Sequence, residues 1–175
     1  TRTICFSKTN QNIKEIFTRV LKGHIAVALA NINLKKTGHD IDKIARKSLK
    51  SIGLDYRHGT GHGVGFFLNV HEGPQSISKN NNVQLKEGMI LSNEPGFYLE
   101  NKFGIRIENL VFIKKIQKNL VFENLTFAPI DIDLIDFKIL KNYEKDYLFK
   151  YHLETYSKIS PFLNKSEKRW LANLI

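Results

Sequence analysis

The sequence predicts an α+β domain on three observations: apolar residues at helical spacing in the first fifty positions, strand-like runs with turn chemistry between Gly59 and Ile130, and a return to helical spacing after Leu140. At 175 residues, 42% hydrophobic and 11% aromatic, the chain has enough apolar surface for one ordinary core. No repeat, low-complexity linker or composition break divides it.

The elements follow in order. Thr3 to Phe6 is a short β-like stretch. Thr9 or Asn10 caps a helix that places Ile13, Ile16, Phe17, Val20, Leu21 and Val27 on one face and runs to about Asn31. Asp40 caps a second helix with Ile41, Ile44, Ala45 and Leu49 together, and Ser51 to Gly53 ends it. Gly59, Gly61, Gly63 and Gly65 then occupy every second position, which excludes a helix and suits an extended segment closely approached by something else. Ser76 to Asn82 is rich in turn formers. Met89 to Leu99 and Gly104 to Lys115 read as strands of a hairpin joined by residues 100–103, and Val121 to Ile130 as a further strand. After Asp131, Asp133 and Asp136, a helix runs from about Leu140 to Ile159, with a short one ending near Trp170. Tyr143, Tyr147 and Tyr151 recur four apart on it, a stripe that reads as core.

Composition excludes several classes. The sole cysteine is Cys5, so there is no intramolecular disulfide and no thiolate zinc cluster, which fits a reducing, cytoplasmic setting. The longest apolar run, Ile25 to Ala30, is far short of a membrane span. The first residues resemble neither a signal peptide nor an initiator start, so the sequence reads as beginning within a longer gene. A net charge of +10 invites a nucleic-acid partner, but residues 51–108 carry five basic against six acidic groups. The excess is scattered lysine in the flanks with no aromatic-interleaved stripe, so nucleic acid is not the expected partner.

The chemistry starts with His58, His62 and His71. Residues four apart share a face of an extended segment, so His58 and His62 point the same way. His71 lies at an odd offset from His62 and joins them only if the chain bends near Gly65 or Asn69. A single histidine is more often structural; three within fourteen residues, set in glycine, point to a site. If the hairpin is symmetric about Asn101, Glu94 faces Glu108, and like charges directly opposite one another repel unless a cation lies between them. Pro95 cannot donate to a ladder, so the strand is an edge or bulges beside Glu94, and Arg106, on the Glu108 face, is placed to steady that carboxylate. An imidazole with carboxylates is a mostly hard site suited to manganese, cobalt or zinc. Two such ions sharing carboxylates can hydrolyse a peptide bond without a protein nucleophile, and two carboxylates with one imidazole are too few ligands for both.

Residues 58–65 (HGTGHGVG), 69–74 (NVHEGP), 87–90 (EGMI), 93–96 (NEPG) and 104–109 (GIRIEN) strongly resemble aminopeptidase P, the Xaa-Pro aminopeptidase family of the pita-bread fold. Residues 21–26 (LKGHIA), 125–130 (LTFAPI) and the tail around Tyr151 and Trp170 resemble its longer, cytosolic-type members. The resemblance implies an α+β pita-bread fold, incomplete at its N-terminal side, with residues 1–175 forming the C-terminal part of the catalytic domain and a helical extension at about 137–175. It implies His62, Glu94 and Glu108 as metal ligands, Glu108 bridging two divalent ions, most often Mn2+. Glu94 would also pass the proton of the attacking water, and His58 and His71 would bind substrate and stabilise the tetrahedral intermediate. Two further aspartate ligands of the family lie upstream of a Thr-Arg-Thr like residues 1–3. The implied substrate is a peptide with proline at position two, and the implied assembly a homodimer. An isolated chain with three of five ligands is expected to be inactive. A proline dipeptidase, a methionine aminopeptidase and a metal-free pita-bread binding module are the alternatives; the 69–74 motif favours aminopeptidase P, and the opposed glutamates speak against a metal-free module.

Overall fold

A computed structural model describes residues 1–32, 36–67 and 69–175. Helix α1 spans Gln11–Ala28; the Asn10 side chain caps it by accepting from the Ile13 amide. Its apolar stripe buries Phe17, Leu21 and Ile25, each worth roughly 1.5–3 kcal/mol of transfer free energy. The helix ends at Ala28, short of the Asn31 predicted, although Ala30 and Ile32 remain buried. Helix α2, Gly38–Lys50, starts earlier than its predicted cap. Thr37 is the N-cap, and Asp40 is the partner of a capping box, its carboxylate accepting from the Thr37 amide at 2.9 Å.

Among the described residues seven short strands follow: β1 Gly61–His62, β2 Ser76–Ile77, β3 Ile90–Asn93, β4 Gly96–Leu99, β5 Phe103–Arg106, β6 Asn109–Ile116 and β7 Asn119–Asn124. The predicted hairpin register holds on both of its sides: β4 pairs β5 from Gly96↔Arg106 to Leu99↔Phe103, and β3 pairs β6 from Ile90↔Phe112 to Asn93↔Asn109. The hairpin is nevertheless two ladders. At Glu94 and Glu108 the amides turn to other partners, Glu94 donating to Thr60 O at 2.8 Å and Glu108 to Thr1 O at 3.0 Å, while between them the Ile107 amide still donates across the hairpin to Pro95 O at 3.3 Å. β7 completes the β3-β6-β7 sheet and ends at Asn124, before the predicted Ile130, as the Leu110 amide turns to the Thr126 hydroxyl.

Residues 3–6, predicted as β-like, form no strand. Their neighbours are satisfied by side chains, since the Thr3 hydroxyl accepts from the Arg106 amide and the Cys5 amide donates to Asp131. In the turn-rich segment, Ser76–Ile77 form β2 against β1. Helix α3, Asn142–Ile159, and α4, Lys165–Asn173, close the chain close to where spacing put them. The tyrosine stripe grades outward: Tyr151 is buried and stacks on half-buried Tyr147, while Tyr143 is exposed.

Two apolar clusters result. One joins α1, α3 and the β4-β5 pair through Leu21, Ile105 and Leu148; the other joins α2 with β3, β6 and β7 through Ile41, Leu91 and Val111. The break that carries Glu94 and Glu108 falls where the chain passes from one cluster to the other. Among the described residues, no helix is long and apolar enough to cross a membrane.

Candidate metal centre

The glycines fix where the histidines sit. β1 runs so close to its neighbours that a Cβ on Gly61 would collide with the Ser92 carbonyl, and one on Gly63 with the carbonyls of Glu72 and Gln75. His62 follows Gly61 on β1, and its amide donates to the Ser92 hydroxyl at 2.9 Å. The chain then bends as anticipated: the Gly65 amide donates to Asn69 O at 2.9 Å, Phe67 takes φ 50°, and the Glu72 amide returns to Gly63 O at 2.9 Å. This bend brings the His71 ring to 4.0 Å from that of His62, despite the odd offset.

Across from them, Glu94, Glu108 and His62 each present a donor atom, and the three atoms lie within 4.8 Å of one another. His62 Nε2 is 3.5 Å from Glu94 Oε1. His62 Nδ1 is 2.9 Å from Gly63 O, and a carbonyl only accepts, so the proton of the neutral ring belongs on Nδ1 and the Nε2 lone pair faces the carboxylates. Glu94 is buried and accepts from the Ser92 hydroxyl at 2.8 Å. Burial favours the neutral form of Glu108, but the Thr1 hydroxyl and terminal ammonium, with Arg106 beyond, outweigh it and hold its carboxyl below the usual range.

His58 lies one turn of chain away, its ring 4.8 Å from Tyr56 and 5.4 Å from Tyr98. Burial, joined by the charge of Arg106, lowers its pKa against the opposing effect of its bond to Gly59 O. Nδ1 is committed to that carbonyl at 2.7 Å, and Nε2 is buried without a partner. An imidazole and two carboxylates are a donor set that fits a hard divalent ion, and the orphaned His58 ring nitrogen lies nearby.

Arg106 departs from its expected role. Its guanidinium reaches Glu94, at 3.2 Å, while its Nε donates to Tyr98 OH at 2.6 Å; Glu108 has the residue 1 groups instead. Sequence reasoning also missed two arginines. Arg2 donates to Glu108 O at 2.6 Å, Asn109 Oδ1 at 2.7 Å and Tyr151 OH at 2.7 Å, so it ties α3 to Glu108 and the start of β6. Arg46 reaches the His58 carbonyl from α2. Neither shows in periodicity, because both act on backbone carbonyls distant in sequence.

The chain is 50% identical to Aminopeptidase P2 of Arabidopsis thaliana over 99% of its own length and 26% of that protein. It is 42% identical to Xaa-Pro aminopeptidase 1 of Dictyostelium discoideum, over 100% of the chain and 30% of the relative. Its structure superposes on a Caenorhabditis elegans X-prolyl aminopeptidase, described as a cytosolic enzyme with a di-nuclear active site, with TM-score 0.93 at 36% identity, covering 99% of this chain and 30% of that one. The Pyrococcus furiosus prolidase matches with TM-score 0.65 at 35% identity, over 73% of this chain and 36% of the prolidase. The chain thus spans about a quarter to a third of the length of the curated relatives it matches. The model for the C-terminal region of peptidase M24 matches residues 118–174. With that for metallopeptidase family M24 matching residues 1–115, the chain belongs to metallopeptidase family M24 and has its pita-bread fold.

Proposed function

We propose that this chain supplies the C-terminal part of the catalytic domain of a metal-dependent aminopeptidase that hydrolyses the bond between an N-terminal residue and a penultimate proline, with residues from about 137 to 175 as a helical extension. The observation that carries the reading is the convergence of His62, Glu94 and Glu108 beside His58 and His71. Proline specificity rests on similarity to aminopeptidases P along the whole chain, tail included.

On this reading His62, Glu94 and Glu108 are the residues that would hold divalent metal, Mn2+. When bound, such ions polarise the scissile carbonyl and lower the pKa of water. Glu94 takes the proton of the attacking water and passes it to the leaving amine; Arg106 and Ser92 hold its carboxylate in place for this. On the same reading His58, with Nδ1–H given to Gly59, would offer Nε2 as an acceptor for a substrate N–H, and His71, beside His62, would donate to the developing oxyanion. The cytosolic C. elegans enzyme supports a cytoplasmic location. The whole protein is a homodimer on this reading, and sedimentation at micromolar concentration tests that.

The activity test is Mn2+-dependent release of the first residue from Xaa-Pro-Xaa peptides by the whole protein. Equal rates on peptides lacking the second-position proline would sink the specificity. Cleavage of Xaa-Pro dipeptides alone would favour a proline dipeptidase, a reading that the prolidase superposition supports.

A further inference from the structure

We infer that Arg46 is a positioning residue that locks the loop carrying His58 to the β3–β4 junction carrying Glu94, a role resting on the reading of those two as site residues. Arg46 is 2% exposed, on α2, and its guanidinium makes bonds in several directions. Nε donates to Asp42 Oδ2 at 2.7 Å, Nη1 to Asp55 Oδ1 at 2.7 Å and Tyr56 O at 2.6 Å, and Nη2 to His58 O at 2.6 Å. The Tyr56 ring lies beneath it at 3.9 Å. Residues 55–60 belong to no strand, so a buried guanidinium does for their carbonyls what a ladder does elsewhere.

The second half of the lock starts from the same ion pair. Asp42 gives Oδ2 to Arg46 and accepts at Oδ1 from the Thr60 hydroxyl, 2.7 Å away, which Tyr56 OH also contacts. Thr60 is fully buried, and its carbonyl accepts the Glu94 amide at 2.8 Å, where the β3-β6 ladder has just ended. A path of bonds thus runs from His58 O through Arg46, Asp42 and Thr60 to the backbone of Glu94. Burial alone disfavours the charge on Arg46, but bonds to Asp42 and Asp55 outweigh it and raise its pKa above the ordinary value. A lysine keeps the charge and loses the fork: its single ammonium cannot span both carboxylates and both carbonyls.

The test is amide hydrogen exchange on the 175-residue chain and its Arg46→Lys and Thr60→Val variants, with Mn2+ titration alongside. Positioning predicts that Arg46→Lys speeds exchange at the Glu94 amide by at least about tenfold while Leu21 and Ile25 in α1 stay within about twofold, and that Mn2+ affinity falls at least about fivefold. Thr60→Val, which keeps the carbonyl and removes the hydroxyl, gives the same local pattern and decides the matter if Arg46→Lys does not fold. Equal acceleration at Glu94 and in α1 would assign Arg46 a global structural role, and an unchanged Glu94 amide would break the path; either result overturns the inference. If the unaltered chain binds no Mn2+, the metal reading fails, while the exchange comparison still decides on Arg46.

Discussion

Glu94, between β3 and β4, faces Glu108, between β5 and β6, at the level where the two ladders of the hairpin are interrupted, with carboxylate oxygens within 4.8 Å of each other. Two like charges so close are unfavourable unless countered, and the side chains present supply Arg106, 3.2 Å from Glu94, together with a bond from the Thr1 hydroxyl to Glu108. Their environments differ, which suits different tasks. Glu94→Gln in the whole enzyme keeps the shape of the cleft and loses the proton carrier, so kcat should fall by roughly 10^2–10^4 while substrate binding is largely retained. Steady-state kinetics of the metal-loaded variant checks this; near-normal kcat contradicts it. Lys79→Ala, at an exposed position, serves as the neutral comparison.

The tail predicts a stability difference between two tyrosines. Tyr151 OH accepts from Arg2 at 2.7 Å and contacts the carbonyls of Thr126 and Ala128, whereas Tyr143 is exposed. Tyr151→Phe leaves Arg2 short of a partner in a buried place and should cost about 1–3 kcal/mol in urea unfolding; Tyr143→Phe should change stability by less than about 0.5 kcal/mol. Equal effects would contradict the part assigned to Arg2.

His152 sets an acid limit on stability. Burial first, and then the nearby charge of Arg2, push its pKa down to about 4, and the Ile130 amide donates to its Nε2 at 3.1 Å, a bond that only the unprotonated nitrogen accepts. The unfolded chain, with an ordinary histidine near 6.5, binds more protons between these values. His152 therefore contributes stability that is complete above the unfolded value and is lost as pH falls toward 4. Thermal midpoints of His152→Gln between pH 4 and 6.5 should show a pH slope shallower by up to about one proton. An unchanged slope would contradict the burial argument.

What the sequence made legible follows from local rules. The helices were visible in period, and Asn10 in its capping chemistry, because both depend on near neighbours. The hairpin register was visible because a tight turn at Asn101, φ 58°, fixes pairing for many residues on either side. The bend that returns His71 was visible as a constraint, since only a turn reconciles its offset with His62. The interruption beside Glu94 was visible in Pro95, which cannot donate to a ladder; the partners taken there were not, because Thr60 and Thr1 offer carbonyls from elsewhere in the chain. The partner of Arg106 was misread for a similar reason: a long side chain on the Glu108 face reaches across the break to Glu94, where Tyr98 OH holds it. Thr37 was missed as a cap because Asp40, a good capping residue itself, sits at the third helical position.

A chain limited to these residues should not hydrolyse Xaa-Pro peptides. Among the described residues, one imidazole and two carboxylates converge, and a two-ion centre needs more donors than that. The check is release of the first residue from an Xaa-Pro-Xaa peptide by the purified 175 residues with excess Mn2+. Metal-dependent turnover would mean that another group, such as Glu72 near His71, completes the centre.

The central claim is that His62, Glu94 and Glu108 form one divalent-metal site, and calorimetric titration of Mn2+ into the 175-residue chain tests it most directly. The expected result is weak binding of one ion per chain, lost in His62→Ala and in Glu108→Gln and retained in Lys79→Ala. Absence of binding, or binding that survives both site substitutions, would contradict the claim.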